Sequence, residues 1–205
     1  MSALGRLKTL YYLTLSPIRG DTHEQRLDSF YRHQAADYDA FREKMLHGRC
    51  DLFSSLPVSE GDVWVDLGAG TGRNAERFGD RLKLFSSATL VDLSSSLLKV
   101  ADQRITDQGW QNVRTQHADA TKYVEADNSV DLITFAYSLT MIPNWFAAID
   151  NAVRMLRPGG TIGVVDFYVS RKHPEAGHRQ HGWTTRTFWP AWFGADNVFP
   201  NADHL

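Results

Sequence analysis

Asp66, Gly68, Gly70 and Gly72 follow one another at two-residue steps where the apolar run Val63-Trp-Val-Asp-Leu67 ends. Glycines this close together let a backbone turn sharply and approach a ligand where a Cβ would collide, with N–H groups of the next helix pointing at it. A dinucleotide turn spaced G-x-G-x-x-G needs a small residue at position 73, where this chain has Arg73, and a phosphate loop needs a Gly-Lys-Ser/Thr that does not follow. The register is G-x-G-x-G. Asp92 stands twenty residues beyond Gly72, where a carboxylate can accept two hydrogen bonds from the hydroxyls of a ribose. Its competing role is to cap the next helix, with Ser94 as rival. Asp119, within His117-Ala-Asp-Ala-Thr121, would alone read as a surface-loop aspartate.

These residues need strand ends to hold them, and the apolar pattern supplies strands and helices in alternation. Strands are expected at Val63–Leu67, Ala88–Asp92, Val113–His117, Val130–Ala136 and Thr161–Phe167. Helices are expected at Arg73–Arg81, at Ser94–Gly109 behind a serine cap, and at Pro143–Leu156. Arg157-Pro-Gly-Gly160 introduces the fifth strand. Such alternation requires right-handed crossovers and a mostly parallel sheet covered on both faces, with ligand at the carboxyl ends of the strands. Before it lies a helical region, Thr22 to Leu56, in which Leu27, Phe30, Tyr31, Tyr38, Phe41, Met45 and Leu46 recur at three- and four-residue steps.

A chain of 205 residues suggests one domain. Residues 1–56 read as a helical arm and cap, and 57–205 as the core with an aromatic carboxyl-terminal segment. A net charge of −2 argues against a nucleic-acid binder that relies on a broad basic surface. The lone Cys50 excludes an internal disulfide, suits a reducing compartment and is expected to be a small buried hydrophobe. No run of about eighteen apolar residues occurs, so a cytoplasmic location is expected, with contact at a membrane surface open. The segment Leu4–Leu15, with Arg6 and Lys8, could lie in a lipid interface, cap the site or meet a partner.

Asp66-x-Gly68-x-Gly70-x-Gly72 at a strand's end resembles the first motif of the class I S-adenosylmethionine-dependent methyltransferases. The resemblance continues through Asp92, Asp119, Phe135-Ala-Tyr-Ser-Leu-Thr-Met-Ile-Pro143 and Leu156-Arg-Pro-Gly-Gly160, in order. It implies a Rossmann-like three-layer α/β sandwich and S-adenosyl-L-methionine as cofactor. It further implies that Gly68, Gly70 and Gly72 pass beneath the methionine portion, Asp92 binds ribose, and Asp119 with Ala120 receives adenine. Asp66 would contact the cofactor amine or fix the loop.

A narrower resemblance lies in the flanks. Arg19-Gly-Asp-Thr-His-Glu-Gln-Arg-Leu-Asp-Ser-Phe-Tyr31, Tyr38-Asp39, Ala136-Tyr-Ser-Leu-Thr-Met-Ile-Pro-Asn-Trp145 and Thr187-Phe-Trp-Pro-Ala-Trp-Phe193 look like the methyltransferase of betaine-lipid synthesis. That family methylates the amine of diacylglyceryl-homoserine three times, which implies a lipid-headgroup substrate and a partner enzyme that makes it. A small-molecule methyltransferase, or a cofactor binder without turnover, would share the core motifs. Methyl transfer from a sulfonium is an in-line displacement that needs a neutral amine, so a nearby proton acceptor is useful. Tyr137, Asp166 and one of His178 and His181 are the candidates; placement after the fourth and fifth strands favours the first two, with Tyr137 preferred, although Tyr137 could instead be packed under the cofactor and the histidines read as solvated loop residues. Tyr31 and Tyr38 could offer aromatic faces to a cationic headgroup. Arg42 and Arg49 could pair with its carboxylate, although an exposed helix arginine is the ordinary expectation. No metal site is expected. Trp183, Phe188, Trp189, Trp192 and Phe193 suit a membrane surface, a dimer contact or a core.

Tyr168 to Leu205 hold no two alternating runs of strand length. The antiparallel hairpin that closes the sheet in this family is therefore expected to be incomplete, leaving the fifth strand's outer edge unpaired or covered by the aromatic segment.

Overall fold

The computed structural model describes residues 20–31, 46–174 and 176–195. The expectations for Leu4–Leu15, Tyr38 and Arg42 lie outside these residues. Helix α1 (His23–Tyr31) and the short helix α2 (Arg49–Ser55) come first. The core follows as strand β1 (Val63–Leu67), helix α3 (Arg73–Glu76), a 3-10 turn at Gly79–Leu84 and strand β2 (Ser87–Asp92). Helix α4 (Ser95–Gln108), β3 (Val113–His117), β4 (Val130–Ala136), α5 (Trp145–Met155), β5 (Leu156–Val165) and α6 (Trp183–Ala195) complete it.

The five strands form one sheet in the order β3-β2-β1-β4-β5, every pair parallel. The order reverses at β1, so the loops after β1 and β4 part there and open a crevice. Successive β1 residues face opposite ways and divide the interior into two clusters. Trp64 joins Phe53, Phe78, Phe85, Leu90 and Leu132 on one face, whereas Val65 and Leu67 join Ile133, Phe135, Ala148 and Met155 on the other. Trp64, 0% exposed, meets Phe78 edge-on at 4.8 Å between ring centres, and Phe78 meets Phe53 at 5.1 Å and Phe85 at 5.0 Å. Truncating such a buried aromatic costs about 3–5 kcal/mol, so this cluster is the mechanical base of the sheet.

Strands β1, β3 and β4 fall where the sequence puts them. Helix α4 starts as expected, its Ser94 Oγ accepting the Leu97 N–H at 3.4 Å, and ends at Gly109 with φ 65°. The helix expected over Arg73–Arg81 stops at Glu76 and gives way to the 3-10 turn. Strand β5 begins earlier than expected: Leu156 pairs with Val130 and Thr161 with Leu132, so Arg157-Pro-Gly-Gly160 is a bulge within the strand rather than a turn before it. It ends at Val165, because Asp166 Oδ1 takes the Phe167 N–H at 2.7 Å.

Among the described residues no sixth or seventh strand joins the sheet. The sheet is open at β5, as the carboxyl-terminal sequence predicts. The aromatic segment forms α6, with Trp183, Phe188 and Trp189 exposed at 72%, 54% and 40%, so these three rings do not fill the core. Cys50 is also exposed, contrary to the buried position expected of it; it lies beside the inward-facing Arg49, and Arg77 donates to its sulfur. No helix among the described residues is long and apolar enough to cross a membrane.

Candidate functional site

A cavity of about 270 Å³ opens at the carboxyl ends of β1, β2, β3 and β4. Gly68, Gly70, Asp92, Asp119, Ala120, Tyr31 and Tyr137 all line it. Gly72, Asp66 and Asp166 do not.

The glycines have separate tasks. A Cβ on Gly68 would stand 2.3 Å from the Ser138 Cβ, and Gly68 has φ 80°, so this glycine lets the β1 and β4 loops touch. Gly70, at φ 59°, would meet only Leu97 Cδ1 at 3.9 Å, which leaves its cleft side clear for a ligand. Gly72 is pressed against Leu90 and Ala101 beneath the loop, where a Cβ would meet them at 3.0 and 3.2 Å. It therefore seats α4 on the sheet and does not underlie the ligand.

Asp66 lies fully buried under the same loop. Trp64 Nε1 donates to Thr134 Oγ1 at 2.9 Å, the Thr134 hydroxyl donates to Asp66 Oδ1 at 2.6 Å, and Asn74 Nδ2 donates to Oδ2 at 2.9 Å. Burial pushes this carboxyl up to about 6. Of the two roles open to Asp66, its geometry serves the second, tying the first turn of α3 to the aromatic base. Asn74 itself lines the cleft, and its buried Oδ1 has no hydrogen-bond partner among the described residues. A buried acceptor without a donor is costly, and a ligand N–H would satisfy it.

At the end of β2, Asp92 Oδ2 accepts the Gly70 N–H at 2.7 Å and Oδ1 the Ser94 N–H at 2.8 Å. A carboxylate has about four acceptor sites, so Asp92 keeps capacity to accept from the hydroxyls of a diol. Burial raises the carboxyl above its ordinary range, while the backbone N–H groups of Ser94, Gly70 and Leu93 oppose that rise. Past β3, Asp119 turns Oδ1 to the Thr121 N–H at 2.9 Å and hydroxyl at 2.7 Å, and Lys122 approaches Oδ2 at 3.8 Å. Oδ2 keeps room for an amino group. In strand order, the cleft offers an amine acceptor at Asp119, a diol acceptor at Asp92 and an open glycine turn after β1. That set of acceptors fits S-adenosylmethionine: adenine, ribose and amino acid in sequence, with Asn74 Oδ1 for the ammonium. When bound, this cofactor supplies a methyl group on a sulfonium.

Helix α1 closes the cleft from above through His23, Leu27 and Tyr31. Asp28 anchors it by placing Oδ1 on the first turn of α4, accepting the Ser96 hydroxyl at 2.6 Å, the Ser96 N–H at 3.1 Å and the Ser95 hydroxyl at 3.3 Å. Glu24 pairs with His117 at 3.3 Å. Burial lowers the pKa of His23, so the neutral ring is favoured. The contacts of Asp28 and Glu24 cannot be read from local sequence pattern, because their partners lie far along the chain, in α4 and at the end of β3.

Toward β5 the wall changes character. Tyr137, with φ 59° and its N–H on Val165 O at 2.7 Å, donates its hydroxyl to His47 O at 2.6 Å and packs edge-on against Phe167. A left-handed tyrosine stores about 1–3 kcal/mol of strain, of the kind held at functional sites. Burial raises its pKa, and Asp166 adds to that. Asp166 is mostly occupied in holding Thr140, accepting its hydroxyl at 2.7 Å and its N–H at 3.2 Å, with its own pKa raised by burial. It supports the β4 loop from behind the cleft. Arg49, expected as an exposed helix arginine, is instead 7% exposed and lines the cleft beside Tyr31 and Leu46.

Comparison with known proteins agrees with this geometry. Residues 65–160 match the family described as Methyltransferase domain. Sheet order and this match give the core the Rossmann-like fold of the class I S-adenosylmethionine-dependent methyltransferases. Among particular relatives, the ubiquinone/menaquinone biosynthesis C-methyltransferase UbiE of Stutzerimonas stutzeri is 30% identical over 149 residues, covering 70% of this chain and 58% of the relative. The chain thus spans little more than half the length of the curated relatives it matches. Among solved structures, a SAM-dependent methyltransferase from Aquifex aeolicus superposes with TM-score 0.60 at 15% identity, over 82% of this chain and 81% of that one. A Haemonchus contortus phosphoethanolamine N-methyltransferase gives TM-score 0.67 at 19% identity, over 89% and 42%. These two likenesses are of fold.

Proposed function

We propose that this chain transfers methyl groups from S-adenosylmethionine to the amine of a lipid headgroup, that of diacylglyceryl-homoserine, in three successive steps. The observation that carries this reading is the lining of the cleft, where Tyr31 and Tyr137 stand with Leu46, Met141 and Ile142. Aromatic faces stabilise a headgroup that grows more cationic with each methyl, by about 0.5–2 kcal/mol per contact, and apolar neighbours suit the start of an acyl lipid. The flanking resemblance to betaine-lipid methyltransferases supports the same acceptor. Tyr137 is the proposed proton-handling residue: its hydroxyl donates to His47 O, so its oxygen is turned to accept a hydrogen bond from the acceptor N–H and hold the amine lone pair toward the methyl, while the amine's proton passes to solvent water. The exposed rings of α6 would meet the membrane surface from which the lipid is drawn, and an enzyme that makes diacylglyceryl-homoserine would be the partner.

A second reading follows from the relatives named as C-methyltransferases of ubiquinone and menaquinone biosynthesis, in which the acceptor is a carbon of an aromatic ring. Purified protein incubated with labelled cofactor and either diacylglyceryl-homoserine or a demethylated quinol, in mixed micelles, separates the two. Mono-, di- and trimethylated headgroup products support the first. Methylation of the quinol alone replaces it with the second, and equal use of a water-soluble amine removes the lipid from the reading.

A further inference from the structure

We propose that Asp66 is a positioning residue whose protonation decides which way the Asn74 amide faces. As a carboxylate, Asp66 takes Asn74 Nδ2 on its Oδ2 at 2.9 Å and leaves Asn74 Oδ1 for a ligand N–H. As a neutral acid it turns the amide over, so that Nδ2 stands where Oδ1 stood. Asn74 lines the cleft and is only 4% exposed, so the outward atom of its amide meets whatever fills the cleft.

The direction is set from β1. The indole Nε1 of Trp64 can only donate, and it gives its hydrogen to Thr134 Oγ1 at 2.9 Å. The Thr134 hydroxyl then donates to Asp66 Oδ1 at 2.6 Å. All three side chains are 0% exposed, and reversing this chain would cost the Thr134 hydroxyl its buried acceptor. A proton arriving on Asp66 therefore takes Oδ2, the oxygen that faces Asn74. There it must donate, and of the two amide atoms only Oδ1 accepts. Burial raises this carboxyl to about 6; the bonds from Thr134 and Asn74 oppose the rise, Asp92 on β2 adds to it, and the Arg49 charge on α2 opposes it. The two arrangements therefore exchange just below neutral pH. An ammonium such as the cofactor's only donates, so it fits an outward Oδ1 and meets an outward Nδ2 donor to donor. Asp66→Asn copies the neutral acid at every pH, because Thr134 claims its Oδ1 and leaves its Nδ2 to hold the amide turned.

The test needs only the demethylated cofactor, and so stands apart from the acceptor proposed above. Calorimetry compares S-adenosylhomocysteine with its analogue carrying hydrogen in place of the amino group. Wild type, Asp66→Asn and Asn74→Ala are each measured at pH 7 and pH 5, with circular dichroism confirming the fold. Asp92 serves the ribose of both ligands, so the ratio of their affinities isolates the amine. Wild type should prefer the amine by roughly tenfold or more at pH 7. With the Asp66 carboxyl at about 6, that preference should fall about tenfold by pH 5. Both variants should lack it at either pH, whereas a merely structural Asp66 would weaken the two ligands alike and leave their ratio unmoved. A wild type indifferent to the amine overturns the proposal, as does a preference that holds from pH 7 to pH 5. So does a folded Asp66→Asn or Asn74→Ala that keeps the preference; should either variant fail to fold, the wild-type pH profile still decides.

Discussion

Replacing Asp66 with asparagine should make this protein more stable, and by an amount that depends on pH in a calculable way. Burial raises the Asp66 carboxyl from 3.8 to about 6. The displacement is roughly two pH units at about 1.4 kcal/mol each, or about 3 kcal/mol. The sign follows from proton binding: between about pH 4 and 6 the folded protein holds a proton that the unfolded chain has released. Stability therefore falls as pH rises through that window and is flat above it. Asparagine has no charge to bury. Its Oδ1 can accept the Thr134 hydroxyl, and its Nδ2 can donate to Asn74 once that amide turns over. Urea unfolding of wild type and Asp66→Asn at pH 8, 5 and 4 should show the variant ahead by about 3 kcal/mol, about half that, and nearly nothing. Asp92 and Asp166 are raised by burial too, so the difference between the two proteins, rather than either curve alone, isolates Asp66. A gap that stays constant from pH 4 to 8 would refute the reasoning.

Asp92→Ala removes the diol acceptors and should weaken S-adenosylhomocysteine binding by about 1.5–3 kcal/mol per charge-assisted bond lost; calorimetry on the folded variant measures it, and unchanged affinity would defeat the ribose assignment. Gly68→Ala and Gly70→Ala should part company, although both sit at positive φ. The first drives a methyl into Ser138 and should lower Tm by several degrees, whereas the second keeps its neighbours and should mainly weaken cofactor binding; similar thermal losses in both would contradict the separate tasks. Tyr137→Phe frees the His47 carbonyl and should lower turnover more than cofactor affinity, as read from steady-state kinetics beside calorimetry. Equal turnover would reduce Tyr137 to a packing residue.

The sheet and the cofactor side of the cleft were largely legible in the sequence because both are written locally. Val63–Leu67 and Val130–Ala136 are apolar runs closed by glycine or a polar loop, and Ser94 and Gly109 mark the ends of α4 in their own types. Distance in the chain hides the rest. Arg49 reads as a surface residue until the turn at Gly48 brings α2 against β5. Asp28 reads as an exposed helix aspartate, although its hydrogen bonds go to residues more than sixty positions away. Asp66 carries the motif's acidic position, yet which side of the loop its carboxyl takes depends on Thr134 from β4. Nor does Arg157-Pro-Gly-Gly160 say whether it precedes a strand or bulges within one, since that depends on whether Leu156 finds Val130.

The open side of β5 gives the molecule a short, ordered ledge. A parallel strand turns alternate peptide groups to its two neighbours, and with β4 on one side those facing away along Thr161–Val165 are answered by no other strand among the described residues. Pro158 has no N–H to offer and the two glycines after it pair weakly, so the usable ledge is about five residues, or roughly 17 Å. Gly163 narrows it further, because Leu56 of the preceding chain presses on the sheet there, 2.8 Å from where a Cβ would be. Any segment laid along this ledge would meet a small, apolar footing on one face, and only a matching strand would hold. The same ledge leads straight into Asp166, the post that holds Thr140. A strand seated on it would stiffen the β5 side of the cleft floor while leaving the Asp119 side, with three strands between, undisturbed.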